Sequence, residues 1–500
     1  METRKRGRGL GANREGGRGN QNKYQKNESN FNRGRGGRVG LEENTLAILD
    51  TSSSASFHHL LDDRLAFLDA VRSASLVPEN DNPPTKKMFV AVFQILKDES
   101  SLDLIIASYQ LLFELNKRYP WVYLPKMEKS ESSTPSKVHC GLIVAEEAWS
   151  PFGCNERDEA TDTSGGSINP LAFHSLMQDI AKGATEERRN TIEIKSLQNM
   201  LLFQYLVNVL EGDLFPRIHA FKESLNWILL RECILNKILG SRKLSYKDLI
   251  KDCMSLIGDL SCDKTKITCD QKGKRTSLAE LQKDCHGPLE LALPEVEKNT
   301  CLALKKLLQM IMELDSSRNI ADMTGLITRA DGARIPAAEI ILNELSYSSD
   351  LLFSFFLLFD EPEWKLKTIV QYFQKYIPKS SIRTRRSNGS SSDATFDGIL
   401  KCFSNENSAK GIIKKMRPDV TQLLLAHGFQ AFLSLSSKHS VEDASDSKQD
   451  VRGSSIMEIC ENVVSAFACF RKEDKQFTFS PFSREALFTA ASVLSTGARS

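Results

Sequence analysis

From residue 41 onward the apolar positions recur at intervals of three and four, the spacing of amphipathic helices. Ser245, with Asp248 three residues later, reads as a helix start of the capping-box type. Tyr246, Leu249, Ile250, Cys253, Ile257 and Leu260 then share one face, with Lys247, Lys251 and Asp252 turned away. A second stripe, Leu366, Ile369, Val370, Phe373 and Ile377, follows Asp360-Glu361-Pro362 and stops at Pro378. A third joins Ile456, Ile459, Cys460, Val463, Val464, Phe467 and Phe470. The same spacing predicts helices within 88–97, 102–118, 197–210, 225–239, 301–314, 337–345, 350–359, 418–433 and 484–494. Alternating apolar and polar positions are scarce, and Gln476 to Phe479 is too short to found a sheet. The predicted fold class is all-α. So many amphipathic helices outgrow one bundle, which favours a helical solenoid of stacked helix pairs, or an irregular helical array with degenerate repeats. No repeat consensus returns at a fixed period.

The pattern divides the chain. Residues 1–40 read as a disordered Arg/Gly-rich tail and 41–125 as an N-terminal helical segment. A polar linker is expected over 126–190, with a short anchor at Trp149-Ser150-Pro151-Phe152. Residues 191–378 form the central helical array, and 379–410 a basic flexible loop. The C-terminal helices occupy 411–500, with a mobile loop at 436–454.

Composition sharpens this picture at one end. The 500 residues are 41% hydrophobic and 26% charged, so most of the chain can repay the entropy of folding. The formal net charge is +2, but residues 1–40 hold 11 Lys and Arg against 3 Glu. That makes the tail +8 and the remainder −6, which excludes a globally basic, DNA-coating protein. Ten glycines among those 40 residues, with Tyr24 and Phe31 the sole aromatics, leave too little apolar surface to order them. Two uses fit the tail. Arg4, Lys5, Arg6 and Arg8 suit a nuclear import signal, joined by Arg383, Arg385 and Arg386 of the basic loop. The Arg-Gly runs also suit weak contact with nucleic-acid phosphates and unpaired bases. Met1 to Gly40 lacks the apolar core of a signal peptide, and no stretch of 18 apolar residues is long enough to span a membrane. Eleven cysteines without a CxxC pair fit a reducing compartment, the nucleus or cytosol.

Catalytic signatures are missing. No GxSxG, HExxH or GxGxxG appears, and Thr268 stands where a phosphate-binding loop ending at Gly273-Lys274 needs its first glycine. Cys253, Cys262, Cys269, Cys285 and His286 are the one cluster with metal-ligand content. Intervals of 8, 6 and 15 residues between those cysteines lack the close pairs of a structural zinc site, so they read as reduced thiols. His427 follows Val420, Leu423 and Leu424 at helical spacing and reads as a core imidazole. No cofactor, metal or small-molecule substrate is expected.

Several longer strings carry a family resemblance. They are Ala70 to Asn80 with Pro83-Pro84-Thr85, Tyr119-Pro120-Trp121-Val122-Tyr123, Glu147 to Phe152, and Met310 to Asp315. The run Gly332 to Pro378, Arg383 to Arg386, and Pro481 to Leu494 extend them over nearly the whole body. Together they resemble the plant nuclear negative regulators of systemic acquired resistance. The resemblance implies a helical, armadillo- or HEAT-like nuclear scaffold that represses pathogenesis-related genes and restrains recombination. It also implies a non-catalytic subunit of the Smc five–six DNA-repair complex, with chromosome-maintenance subunits and transcription or repair regulators as partners. The Arg/Gly tail and the segment Cys262 to Asn299 depart from the family pattern. Gly332 to Pro378 is the aromatic-rich run, and Phe355 and Trp364 are its candidate partner-interface residues, weighed against burial between stacked helices. Limited proteolysis should cut within residues 1–40 first, while 197–260 and 301–378 resist. A tail that survives as long as those helices would contradict this reading.

Overall fold

Helices form where apolar positions keep the three-and-four interval. The computed structural model describes residues 43–47, 49, 57–77, 83–124, 141–145, 149–153, 167–186, 194–266, 287–377, 395–442, 449–473 and 476–497. α1 (Phe57–Leu76) and α2 (Lys86–Asp98) both pack on α3 (Leu102–Arg118). The Thr85 hydroxyl caps α2 by accepting the Met88 N–H at 3.4 Å. α3 places Asp103 in its first turn and Lys117 and Arg118 in its last, each sign suited to the helix dipole. It runs into β1 (Val122–Tyr123), which pairs antiparallel with β2 (Ile143–Val144), Val122 lying opposite Val144.

The next elements are α4 (Pro170–Glu186) and α5 (Ile194–Ser224), then two short helices, α6 (Trp227–Arg231) and α7 (Ile234–Leu239). α8 (Tyr246–Lys266) and α9 (Gly287–Met323) follow. α5 is the spine of this part. Leu197 to Val207 are buried apart from Asn199, and α2, α3, α4, α6, α7 and α9 all pack on it.

Its buried amides are satisfied by the ends and sides of its neighbours. Gln198 Nε2 donates to the carbonyls of Leu96 and Glu99, both at 2.7 Å, at the C-terminus of α2. Gln204 accepts from the Tyr109 hydroxyl at 3.1 Å and donates to Thr300 Oγ1 at 2.9 Å, tying α3, α5 and α9 together.

The chain continues through α10 (Ala337–Leu345), α11 (Ser349–Leu358), α12 (Pro362–Gln374), α13 (Phe396–Phe403) and α14 (Glu406–Met416). α15 (Pro418–Glu442), α16 (Gln449–Glu473) and α17 (Pro481–Gly497) complete it. α15 is the second spine. Val420 to Phe429 are buried at every position, enclosed by α11, α12, α14, α16 and α17. The architecture is an all-α helical array.

Four expectations change. The polar linker over 126–190 contains α4, whose Phe173, Met177 and Ile180 form a buried helical stripe amid polar neighbours. The basic loop over 379–410 holds α13 and the start of α14, where Phe396, Ile399, Leu400 and Phe403 are buried. The expected loop at 436–454 is taken up at both ends by α15 and α16. The helix predicted within 225–239 is two helices, because the Ile234 N–H turns to the Asp213 carboxylate at 2.6 Å instead of continuing the ladder.

Gln198→Ala should lower unfolding stability by about 2 kcal/mol, since two helix-end carbonyls lose their donor in the interior. Urea denaturation measures this. A change within experimental error would mean that water reaches those carbonyls.

Candidate functional site

The aromatic run between Gly332 and Pro378 builds α10, α11 and α12. α11 is apolar on nearly every side, so it needs covering on more than one face. α8 covers one face and α15 another. Phe355 and Phe359 stack at 4.2 Å, and the Trp364 ring lies 4.7 Å from Phe359 and 5.7 Å from Phe355. Phe355, Phe356 and Phe359 are fully buried, whereas Trp364 at the start of α12 keeps part of its surface in solvent. Phe355 is enclosed by its neighbours and supports this corner from within rather than forming its surface.

The corner carries charge. Lys305 of α9 lies 5.9 Å from the centre of the Phe359 ring and reaches Asp360 at 2.6 Å and Glu361 at 3.2 Å. Gln309 donates to Glu361 at 2.8 Å. The hydrogen bond from Lys305 holds the Asp360 carboxyl below its ordinary value. Asp360, Glu361 and Glu363 are exposed in the same stretch as the partly buried Trp364.

On its other face α11 meets α15 and α17 through a ring cluster. His427 lies 6.0 Å from Phe353, 5.4 Å from Phe356 and 4.3 Å from Phe482, measured between ring centres. It is 1% exposed, and neither ring nitrogen has a hydrogen-bond partner. Burial, reinforced by the Lys365 charge, pushes its pKa down to about 3.

Two buried ionic networks fix the neighbouring elements. Arg334 donates to Asp315 Oδ1 through Nη2 at 2.9 Å and Nε at 3.2 Å. Asp315 Oδ2 accepts from the Ala337 N–H at 2.7 Å, capping the start of α10, and from the Tyr246 hydroxyl at 2.9 Å. Arg334 also lies 4.9 Å above the Tyr246 ring. Asp331 accepts from Trp227 Nε1 at 3.2 Å and the Thr328 N–H at 2.8 Å, while Arg318 donates to the carbonyls of Asp331 and Gly332. Those contacts pin the segment between α9 and α10. In the second network Arg217 Nε pairs with Asp213 Oδ1 at 2.7 Å, and Arg217 Nη1 reaches the Leu229 carbonyl at 3.2 Å. Burial raises the Asp213 pKa, opposed by the Arg217 charge.

Comparison with known proteins places this geometry in a family. Residues 121–361 match the SNI1 middle domain and residues 377–498 the SNI1 C-terminal domain. A relative from Arabidopsis thaliana, "Negative regulator of systemic acquired resistance SNI1", is 40% identical over 476 residues, covering 95% of this chain and 98% of the relative. The chain belongs to the SNI1 family. No solved structure matches it.

In SNI1 terms, α11 closes the middle domain, α12 falls between the two matched regions, and α13 to α17 make the C-terminal domain. The His427 cluster is therefore a seam between the family's two domains. Arg4, Lys5, Arg6, Arg8, Arg383, Arg385 and Arg386 lie outside the described residues, as do Cys269, Cys285 and His286. Cys262 lies within the span of α8, and Cys253 is buried on that helix's apolar stripe. Burial pushes the Cys233 thiol up to about 12 and raises Cys253 and Cys460 as well. Among the described residues no group of His, Cys, Asp and Glu could hold a metal ion, and no helix is long and apolar enough to cross a membrane.

Arg334→Met should destabilise the fold by about 3 kcal/mol, because it strands a buried carboxylate. Denaturant titration at pH 7 measures this. A loss under about 1 kcal/mol would show that solvent screens the pair.

Proposed function

We propose that this chain is a nuclear, non-catalytic scaffold that represses pathogenesis-related defence genes. In this reading it is also a subunit of the Smc five–six DNA-repair and recombination complex, working through protein–protein contacts. The observation that carries the reading is the 40% identity with the Arabidopsis negative regulator of systemic acquired resistance, over 95% of this chain. The likeness spans both proteins nearly end to end, so the shared property is that of the whole helical body. The relative is named a regulator and the matched models are SNI1 domains, which supports a non-catalytic role.

The contact surface proposed is the corner between α11 and α12. Trp364 supplies a partly exposed indole on a rigid aromatic base, and the exposed Asp360, Glu361 and Glu363 nearby in the chain supply polar groups. That combination suits an interface anchor. The partners in this reading are protein subunits of the chromosome-maintenance complex and transcription or repair regulators. A second reading, direct nucleic-acid contact through the Arg/Gly tail and the basic loop, rests on the +8 charge of residues 1–40.

The test is complementation of Arabidopsis plants disrupted in their own SNI1. The wild-type chain should restore repression of pathogenesis-related transcripts and recover chromosome-maintenance subunits from nuclear extracts. Trp364→Ala should keep its helicity by circular dichroism yet weaken partner binding about 30-fold, the equivalent of about 2 kcal/mol. Failure of the wild-type chain to restore repression would overturn the regulatory reading. Intact partner binding by Trp364→Ala would move the contact elsewhere. Loss of partner recovery on deleting residues 1–40, together with a salt-sensitive gel shift, would favour the nucleic-acid reading.

A further inference from the structure

His427 is an unusual choice for its position. It belongs to the C-terminal domain, yet two of the three rings around it, Phe353 and Phe356, come from the middle domain. The third, Phe482, also touches Phe353 at 5.7 Å, so the four rings close one cluster across the seam. A phenyl group would keep these contacts without a polar atom. An imidazole instead brings a donor and an acceptor into a place where neither finds a partner.

The neutral ring is tolerated there, but the charged ring is not. α11 and α17 face it with phenyl rings, which cannot replace the two hydrogen bonds that water gives an imidazolium. Among the described residues the charge acting on it is the Lys365 ammonium of α12, which repels a second cation. Among the described residues, α14 and α16, the other helices on α15, bring no titratable group to bear on it. Lys365 is itself half-buried, with Asp360 and Glu361 supporting its charge and Lys305 opposing it. A proton on His427 can be solvated only if the cluster parts.

We infer that His427 is a proton-sensitive latch between the two SNI1 domains, whose protonation releases α15 and α17 from α11. The sign follows from linkage. In the closed seam the ring stays neutral down to about pH 3, whereas a ring freed into water protonates below its ordinary value near 6.5. Lowering the pH through that value therefore stabilises the open form alone. From pH 7.5 to pH 5.0 the open population should rise about 30-fold. Opening uncovers Phe356 and the buried parts of Phe353 and Phe482, adding to the apolar surface that the closed protein shows.

Hydrogen exchange of the full-length chain at pH 7.5 and pH 5.0, corrected for intrinsic exchange rates, tests this. Protection in α11, α15 and α17 should fall about 30-fold at the lower pH, while α3, α5 and α9 hold theirs. His427→Phe should abolish the fall and leave the pH 7.5 pattern unchanged. An equal fall in His427→Phe, a uniform loss across all helices, or no loss at pH 5.0 would each overturn the latch. Should that variant fail to fold, an NMR titration of the His427 ring in the wild-type chain decides the matter. A ring titrating near 6.5 in the closed protein overturns it, and one that stays neutral while α11 exchange rises at pH 5.0 supports it.

Discussion

A helix enclosed on every side cannot send its polar groups to water, and that constraint governs how this array is assembled. From Leu197 to Val207 all of α5 but Asn199 is enclosed in this way, and it still carries Gln198 and Gln204 in that stretch, with Asp213 and Arg217 further along. Each of these must find a partner inside or lose the full cost of desolvation. The partners they find are the end of α2, the sides of α3 and α9, and the start of α7. Hydrophobic burial brings the neighbouring helices to α5, but it is non-directional. The amides and the carboxylate set where along α5 each neighbour rests.

α15 follows the opposite strategy. Its enclosed stretch, Val420 to Phe429, leaves His427 with no partner among rings that cannot supply one. The two spines thus differ in how their interiors respond to solvent conditions. α5 is locked by complementary groups that satisfy one another's hydrogen bonds inside the array. The contact of α15 with α11 relies on ring packing around a group whose charge state depends on its being closed in. The weaker joint lies where the two family domains meet, the natural place for a helical body to flex without disturbing either core.

Much of the fold was legible because its signal is periodic. The stripe from Tyr246 to Leu260 became α8 with Ser245 at its start, and the stripe before Pro378 became α12 with Pro362 in its first turn. What periodicity missed is aperiodic by nature. The break at Cys233 between α6 and α7 depends on a carboxylate 21 residues earlier in the chain, and the apolar spacing resumes beyond the break almost in phase. α4 hid among serines, glycines and acidic residues because its buried stripe is short. At the candidate site the crowding of phenyl rings on α11 pointed correctly to two covered surfaces. Whether Phe355 or Trp364 met solvent turned on which ring the chain reversal at Asp360 would leave outermost, and that is a tertiary matter. His427 read correctly as a core residue, but its lack of partners became visible only once the helices were in place.

The buried ion pairs show why a helical array of this kind would keep polar groups at depth. Replacing a buried pair with well-packed apolar side chains is often neutral or stabilising, so Asp315–Arg334 and Asp213–Arg217 contribute little that leucines could not. What they supply is discrimination between alternative packings. Tyr246 comes from α8, Asp315 from α9 and Arg334 from the segment joining α9 to α10, and the carboxylate also caps α10, so a slip of either helix by a single turn leaves a charge unpaired. An apolar triad would tolerate that slip. In an array of many similar amphipathic helices, wrong registers are numerous and nearly equal in apolar burial. The ionic contacts remove that degeneracy, and they do so where α8, α9 and α10 meet, the base on which α11 and its aromatic corner are set. The position of Trp364 at the surface is therefore fixed by charges that never reach it.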